Sequence, residues 1–330
     1  HYTIAFDIDL AHARFTGDET IRVHVDEPTN RIVLNAVDIT FREVTIESNG
    51  TRQRASVNTS TDQLALLTVP QALVAGTAEI HISYAGVLNS KLRGLYLSQA
   101  NGRRYAISQM ESTDARRAFP GFDEPAFKAT YDIAATIDEG DMAISNGRVI
   151  SDNPGPGTGR HTVRFSTTAK MSSYLVALAV GDFACLSGEA DKIPVRVCAT
   201  KDKVQLGQLA LEAAEQIVTF YNRWYEIKYP FGKIDLLAAP DFAAGAMENT
   251  GAIFYRERLL LADTATASVE ARKAIAAVLA HELAHQWFGD LVTMAWWNDI
   301  WLNEGFANWM ENLPLKAWKP EWHNEMDEAQ

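Results

Sequence analysis

The chain has 330 residues, with 47% hydrophobic and 22% charged side chains and a formal net charge of −12. That length suggests two domains, and that balance belongs to a soluble globular protein able to bury large cores without crosslinks. No lysine or arginine run is long enough for nucleic-acid binding, and no apolar run is long enough to span a membrane, so neither class is expected. The acidic surface weakly favours cationic partners, or serves solubility alone. Cys185 and Cys198 are too few for a disulfide scaffold; two reduced core thiols are expected, with one bridge between neighbouring strands as the alternative. Because the chain begins at His1 rather than Met, an upstream segment removed or left out is expected; compartment and oligomeric state stay open.

The first half reads as β structure. Tyr2–Leu10 and Ile21–Val25 alternate, and residues 32–34, 43–46, 64–69 and 78–84 are short runs rich in branched side chains. Turn signals separate them: Asn49-Gly50, Asn101-Gly102 and Asn146-Gly147. Asn153-Pro154-Gly155-Pro156-Gly157, between residues 148–150 and 161–165, reads as a hairpin tip. Short strands at this spacing predict an antiparallel sandwich or saddle.

After Val180-Gly181-Asp182-Phe183 the pattern changes. Strands recur at 195–198, 234–238 and 252–255, now separated by long helices. Residues 204–225 have helical spacing. Ser268 is a plausible N-cap, with Glu270 in the first turn, for a helix running to about Phe288 and ended by Gly289. Ile275, Val278, Leu279, Leu283 and Ala284 make that helix apolar over much of its girth, which predicts a buried central position. A third helix is predicted from near Asn303, stopping before Pro314. The fold class is multidomain α+β, with an N-terminal β domain over 1–187 and a second domain over 188–330.

His281-Glu282-Leu283-Ala284-His285 sets two imidazoles four residues apart on a helix, where both can reach one ion at about 2.0–2.1 Å. Glu282 lies where it can take a proton from an attacking water and later deliver it to a leaving amine. A catalytic zinc site needs a third protein ligand and an open position, and Glu304 in Trp301-Leu302-Asn303-Glu304-Gly305-Phe306-Ala307 is the candidate. The bland alternative, surface histidines on an amphipathic helix, conflicts with the apolar surroundings, because an unliganded buried pair is costly. In Gly245-Ala246-Met247-Glu248-Asn249, small residues let backbone approach a ligand beside the Glu248 carboxylate. Gln109-Met110-Glu111 follows a strand in the β half and supplies a second acidic group. Two carboxylates not needed by the metal can hold a substrate ammonium; otherwise each is a solvated loop glutamate.

These segments resemble the aminopeptidase N-like branch of the gluzincin zinc metallopeptidases. The resemblance runs through Gln109–Glu111, Ala115-Arg116-Arg117-Ala118-Phe119-Pro120, Phe122-Asp123-Glu124-Pro125-Ala126-Phe127-Lys128, Ser173–Phe183, Gly245–Asn249, His281–Gly289 and Trp296–Ala307. It implies an N-terminal β domain followed by a thermolysin-like α+β catalytic domain. By matching position, His281, His285 and Glu304 would hold one Zn2+ ion and Glu282 would act as general base. Glu248 and Glu111, helped by Gln109, would hold the α-amine of a peptide substrate with a free N-terminus. Gly245 and Ala246 would meet the peptide backbone, and Met247 would lie near the first side-chain pocket.

Three departures stand out. Position 121 is Gly where many relatives have Cys, and Asp290 stands where Asn is common. Relatives also have an oxyanion-stabilising tyrosine some distance after the glutamate ligand, and the chain ends at Gln330 before it, so a truncated catalytic domain is expected. No tyrosine here, Tyr255 included, can be assigned that role from the sequence. Asn308 is a candidate for bonding a liganding imidazole, or simply faces solvent. Trp287, Trp296, Trp297 and Trp301 are expected to pack as core around the site. The leading reading is a zinc aminopeptidase; a thermolysin-like endopeptidase and a non-catalytic peptide-binding fragment are the alternatives.

Overall fold

Strand Tyr2–Asp9 buries Tyr2, Ile4, Phe6 and Ile8 and exposes Thr3, Ala5 and Asp7, as a two-residue period requires. The computed structural model describes residues 1–322 and places this strand inside an eight-stranded sheet. The sheet order is Val149–Pro154, Arg160–Phe165, Tyr131–Asp138, Tyr2–Asp9, Arg14–Val25, Gly76–Val87, Thr40–Ser48, Thr51–Arg54. Neighbours run antiparallel, as expected, except for Tyr2–Asp9 beside Tyr131–Asp138. Those two are parallel because a distant segment, not a hairpin, brings the chain back to the sheet. Gly155 N donates to Arg160 O at 2.9 Å or less (2.8 Å), closing the hairpin tip. On the inner face the Tyr84 ring occupies the space that a Cβ on Gly17 would need. A Cβ on Gly121 would stand 3.2 Å from the Tyr2 hydroxyl, so residue 121 bears on packing against Tyr2. A second sheet joins Thr29–Asn35, Leu64–Leu73 and Ser56–Asn58.

The chain divides into two units. One holds His1–Ser98, Arg104–Ala143 and Val149–Val180; the other holds Gln99–Arg103, Ile144–Arg148 and the residues from Gly181 onward. The second unit has a five-stranded sheet in the order Phe183–Ala190, Ile193–Thr200, Ile234–Ala239, Ala252–Arg256, Ala246–Met247. Ile234–Ala239 is parallel to both neighbours and buried along its whole length, Asp235 included.

One expectation is corrected here. Cys185 and Cys198 are not reduced thiols but a disulfide. Antiparallel register sets them directly opposite, with Cα atoms 4.1 Å apart, so pairing needs little backbone movement.

The α-helices among the described residues are α1 (Gln208–Trp224), α2 (Val269–His285), α3 (Ile300–Met310) and α4 (Asn312–Trp318). α1 and α2 share one apolar core with the sheet, built from Ile217, Val218, Tyr221, Ile275, Leu279 and Leu283 among others. Only the C-terminal half of α2 is buried; its first turns are exposed. α3 starts before Asn303 and ends before Pro314, which sits in the first turn of α4, where a missing N–H breaks no intrahelical bond. Of the four tryptophans expected in the core, Trp287 is buried, Trp297 is half-buried, and Trp296 and Trp301 are 48% and 64% exposed. The reason is helical geometry. α3 turns Asn303, Ala307 and Met310 inward, and a helix with one buried stripe must present Trp301 on the other side. Among the described residues, no helix is long and apolar enough to cross a membrane.

Candidate metal centre

The Ser268 side chain accepts from Ala271 N at 3.1 Å and so caps α2, whose last turns carry His281, Glu282 and His285. The i, i+4 spacing stacks the two imidazoles on one face, with Nε2 atoms 3.1 Å apart. Glu304 in α3 brings Oε2 to 3.3 Å from His281 Nε2 and Oε1 to 3.8 Å from His285 Nε2. Four bonds of about 2.0–2.1 Å in a tetrahedron put neighbouring donor atoms about 3.3–3.4 Å apart, which these separations bracket. The other ring nitrogens face acceptors: His281 Nδ1 is 3.0 Å from Glu311 Oε2, and His285 Nδ1 is 3.1 Å from Phe288 O. Neutral rings that donate from Nδ1 aim both Nε2 lone pairs at the same point as a carboxylate. Such a donor set calls for a cation, and two nitrogens with one carboxylate suit zinc.

The titration behaviour agrees. Burial works against a charged His281, but hydrogen bonds from Glu304 and Glu311 prevail and raise it to about 10. Burial, reinforced by the His281 charge, lowers His285 to about 4. Glu304 is held below the usual carboxylate range, chiefly by its bond to His281. A proton on His281 and a cation would compete for the same place, so binding of a cation there would be pH-dependent.

The residue that bonds the imidazole is not Asn308, which is exposed, but Glu311. Glu311 lies two helical turns after Glu304, so it follows the same face of the α3 spiral toward His281. That offset was the signal in the sequence.

Glu248 and Glu282 are buried beside these ligands; Glu248, Glu282 and His285 have ligand atoms within 4.8 Å of one another. Burial, reinforced by Glu304, pushes the Glu248 carboxyl up to about 7, against its own backbone bond and His281. Its Oε1 has no hydrogen-bond partner among the described residues. Ala246 and Met247 form a short edge strand against Ala252–Arg256; Met247 is fully buried, Ala246 half-buried and Gly245 exposed. Gly245 O accepts from Arg256 N at 2.9 Å. A Cβ on Gly245 would make an ordinary 3.5 Å contact with Leu259, so local packing does not demand glycine there. Gln109 and Glu111 belong to the other unit, at and just after the end of strand Arg103–Gln109. Gln286 drew no attention in the sequence, yet it is fully buried and bonded on every side. Its only signal was a polar residue at the end of a mostly apolar helix.

Residues 1–175 match the Peptidase M1 N-terminal domain, and residues 209–330 match the Peptidase family M1 domain. The chain is 40% identical to a puromycin-sensitive aminopeptidase of Caenorhabditis elegans, covering 98% of this chain and 35% of that protein. It is 39% identical to an aminopeptidase N of Acetobacter pasteurianus, covering 94% of this chain and 88% of that protein. It is 38% identical to aminopeptidase M1-B of Oryza sativa subsp. japonica, covering 98% of this chain and 37% of that protein. The chain thus spans little more than a third of the nematode and rice relatives.

Proposed function

The chain belongs to peptidase family M1, and from that premise we propose that it carries the metal-binding part of a zinc aminopeptidase. In this reading residues 1–187 are the N-terminal β domain and 188–330 the first part of the catalytic domain. The observation that carries it is the convergence of His281, His285 and Glu304 next to the buried carboxyls of Glu282 and Glu248.

His281, His285 and Glu304 hold one zinc ion, which when bound supplies Lewis acidity toward a carbonyl and toward water. Glu282 takes the proton of the attacking water and returns it to the departing amine. Glu248 takes the substrate α-amine by a charge-assisted bond; Glu111 and Gln109 join it on the strength of the sequence resemblance. Gly245 and Ala246 run along the peptide, and Met247 borders the first side-chain pocket. An amine held by acidic groups restricts cleavage to the first peptide bond, which distinguishes this reading from a thermolysin-like endopeptidase. The Cys185–Cys198 bridge supports an oxidising compartment.

The test is release of a fluorophore from an aminoacyl conjugate by the protein that carries this chain. Chelator should abolish release, and Glu282→Gln should lower kcat by about 10²–10⁴-fold. Equal rates on the N-acetylated conjugate would overturn the amine anchor. Stoichiometric zinc without turnover would favour a peptide-binding role.

A further inference from the structure

We propose that Gln286 is a positioning residue that sets Glu248 relative to the metal ligands, an inference that rests on reading Glu248 as the amine anchor. The Gln286 amide sits immediately after His285 and is fully buried. Its Nε2 donates to Glu248 O at 2.7 Å and to Asp290 Oδ2 at 2.9 Å. Its Oε1 accepts from Gly251 N at 3.1 Å and shares the single proton of the Tyr229 hydroxyl, 3.0 Å away, with Lys233 O. A backbone carbonyl can only accept and a backbone N–H can only donate, so these four partners permit one orientation of the amide and use its full bonding capacity.

The consequence is mechanical. Glu248 O and Gly251 N are the two ends of a four-residue segment, and one rigid side chain holds both. The rest of the segment is fastened from behind. Asn146 Nδ2 donates to Thr250 O at 3.0 Å, and Lys233 Nζ donates to Gly251 O at 2.7 Å. Gly251 has φ +70, and a Cβ there would lie 2.7 Å from Asn146 O, so the chain can make this tight approach only as glycine. The Glu248 carboxyl has a bond to its own backbone, but its Oε1 has no hydrogen-bond partner among the described residues. The side chain that must meet substrate is therefore left unbonded at that oxygen while its backbone is tied to the helix bearing His281 and His285. Asp290 acquires a reason here as well, as an acceptor that holds the amide with its nitrogen toward Glu248.

Three measurements on the whole chain test this: zinc content, amide hydrogen exchange, and binding of leucinamide against N-acetyl-leucinamide. In Gln286→Leu, exchange at Gly251 should quicken about tenfold or more, the loss of one buried hydrogen bond, while amides of residues 275–280 keep their protection. The preference for the free amine should fall by a similar factor with zinc stoichiometry unchanged. Tyr229→Phe removes one of the four bonds and should move both readouts the same way by a smaller factor; where Gln286→Leu does not fold, this variant decides. Unchanged protection and preference overturn the inference, and so does an equal loss of protection throughout α2, which marks a merely structural role. A wild-type chain with no preference for the free amine overturns the amine-anchor reading, and this inference falls with it. A preference kept by the variants overturns the inference alone.

Discussion

Glu19 in the first unit and Glu248 in the second are both buried glutamates with carboxyl oxygens that lack hydrogen-bond partners among the described residues. Their surroundings differ. Glu19 faces the sandwich core near Tyr2, Tyr84 and Tyr131, and burial alone pushes it well above the usual carboxylate range. Glu248 is raised by burial and Glu304, but its own backbone bond and His281 oppose the rise and hold it to about 7. One carboxyl keeps its proton; the other is poised to lose it. The first unit does contain a paired buried charge, Arg116 with Asp123 at 2.8 Å. The second unit connects its buried charges, with Arg196, Asp235 and Lys233 in one chain of contacts leading to Gly251. Burial by itself therefore does not mark a functional acid; what sets Glu248 apart is burial beside the candidate metal ligands.

The largest test removes the partner from that chain. Asp235→Ala leaves the Lys233 ammonium buried without its counter-charge and should cost about 3–5 kcal/mol. All eight tryptophans lie at residue 224 or later, so tryptophan fluorescence during urea unfolding reads the second unit specifically. A wild-type midpoint would break the comparison. Replacing Cys185 and Cys198 together by serine should cost about 3 kcal/mol by the same readout, since the bridge closes a short loop.

Next in size is Glu311→Gln, which weakens the hold on His281. Zinc affinity measured by calorimetric titration should fall about 10–100-fold, with Asn308→Ala unchanged. Equal effects from the two would remove Glu311 from the site.

The smallest effect belongs to Glu19→Gln and depends on pH. The folded carboxyl keeps its proton above 4.5, the value at which an ordinary glutamate loses it, so the unfolded chain binds fewer protons there. Stability is then fully present below that pH and declines as pH rises toward the folded value, by at most about 1.4 kcal/mol per pH unit for one proton. Glu19→Gln should flatten that decline, by at most about 1.4 kcal/mol between pH 5 and 6, in circular dichroism melts. Parallel curves for the two proteins would show that Glu19 is ionised in the fold.

Much of the fold was legible along the chain. Alternation in Tyr2–Asp9, the Gly/Pro hairpin tip, the strand signal at residues 234–238 and the Ser268 cap are local signals, and each element formed where its signal lay. The convergence of His281 and His285 was equally local, because an i, i+4 pair on a helix must share a face. Other features were not legible, for one reason. Whether Trp301 is buried depends on which stripe of α3 turns inward. Whether two cysteines pair depends on strand register. The roles of Glu311 and Gln286 depend on what stands opposite them once the helices have packed.

The sequence by itself therefore determined the class of fold, the helix that presents the imidazoles and the residue types able to bind zinc and to move a proton. Those follow from backbone periodicity and side-chain chemistry, which need no long-range contact. Tertiary structure alone decided the disulfide, the raised carboxyl of Glu19, the poise of Glu248 and the amide that ties Glu248 to the helix bearing His281 and His285. Each of these depends on distance and on exclusion of water, and both arise only when segments far apart in the chain are packed together.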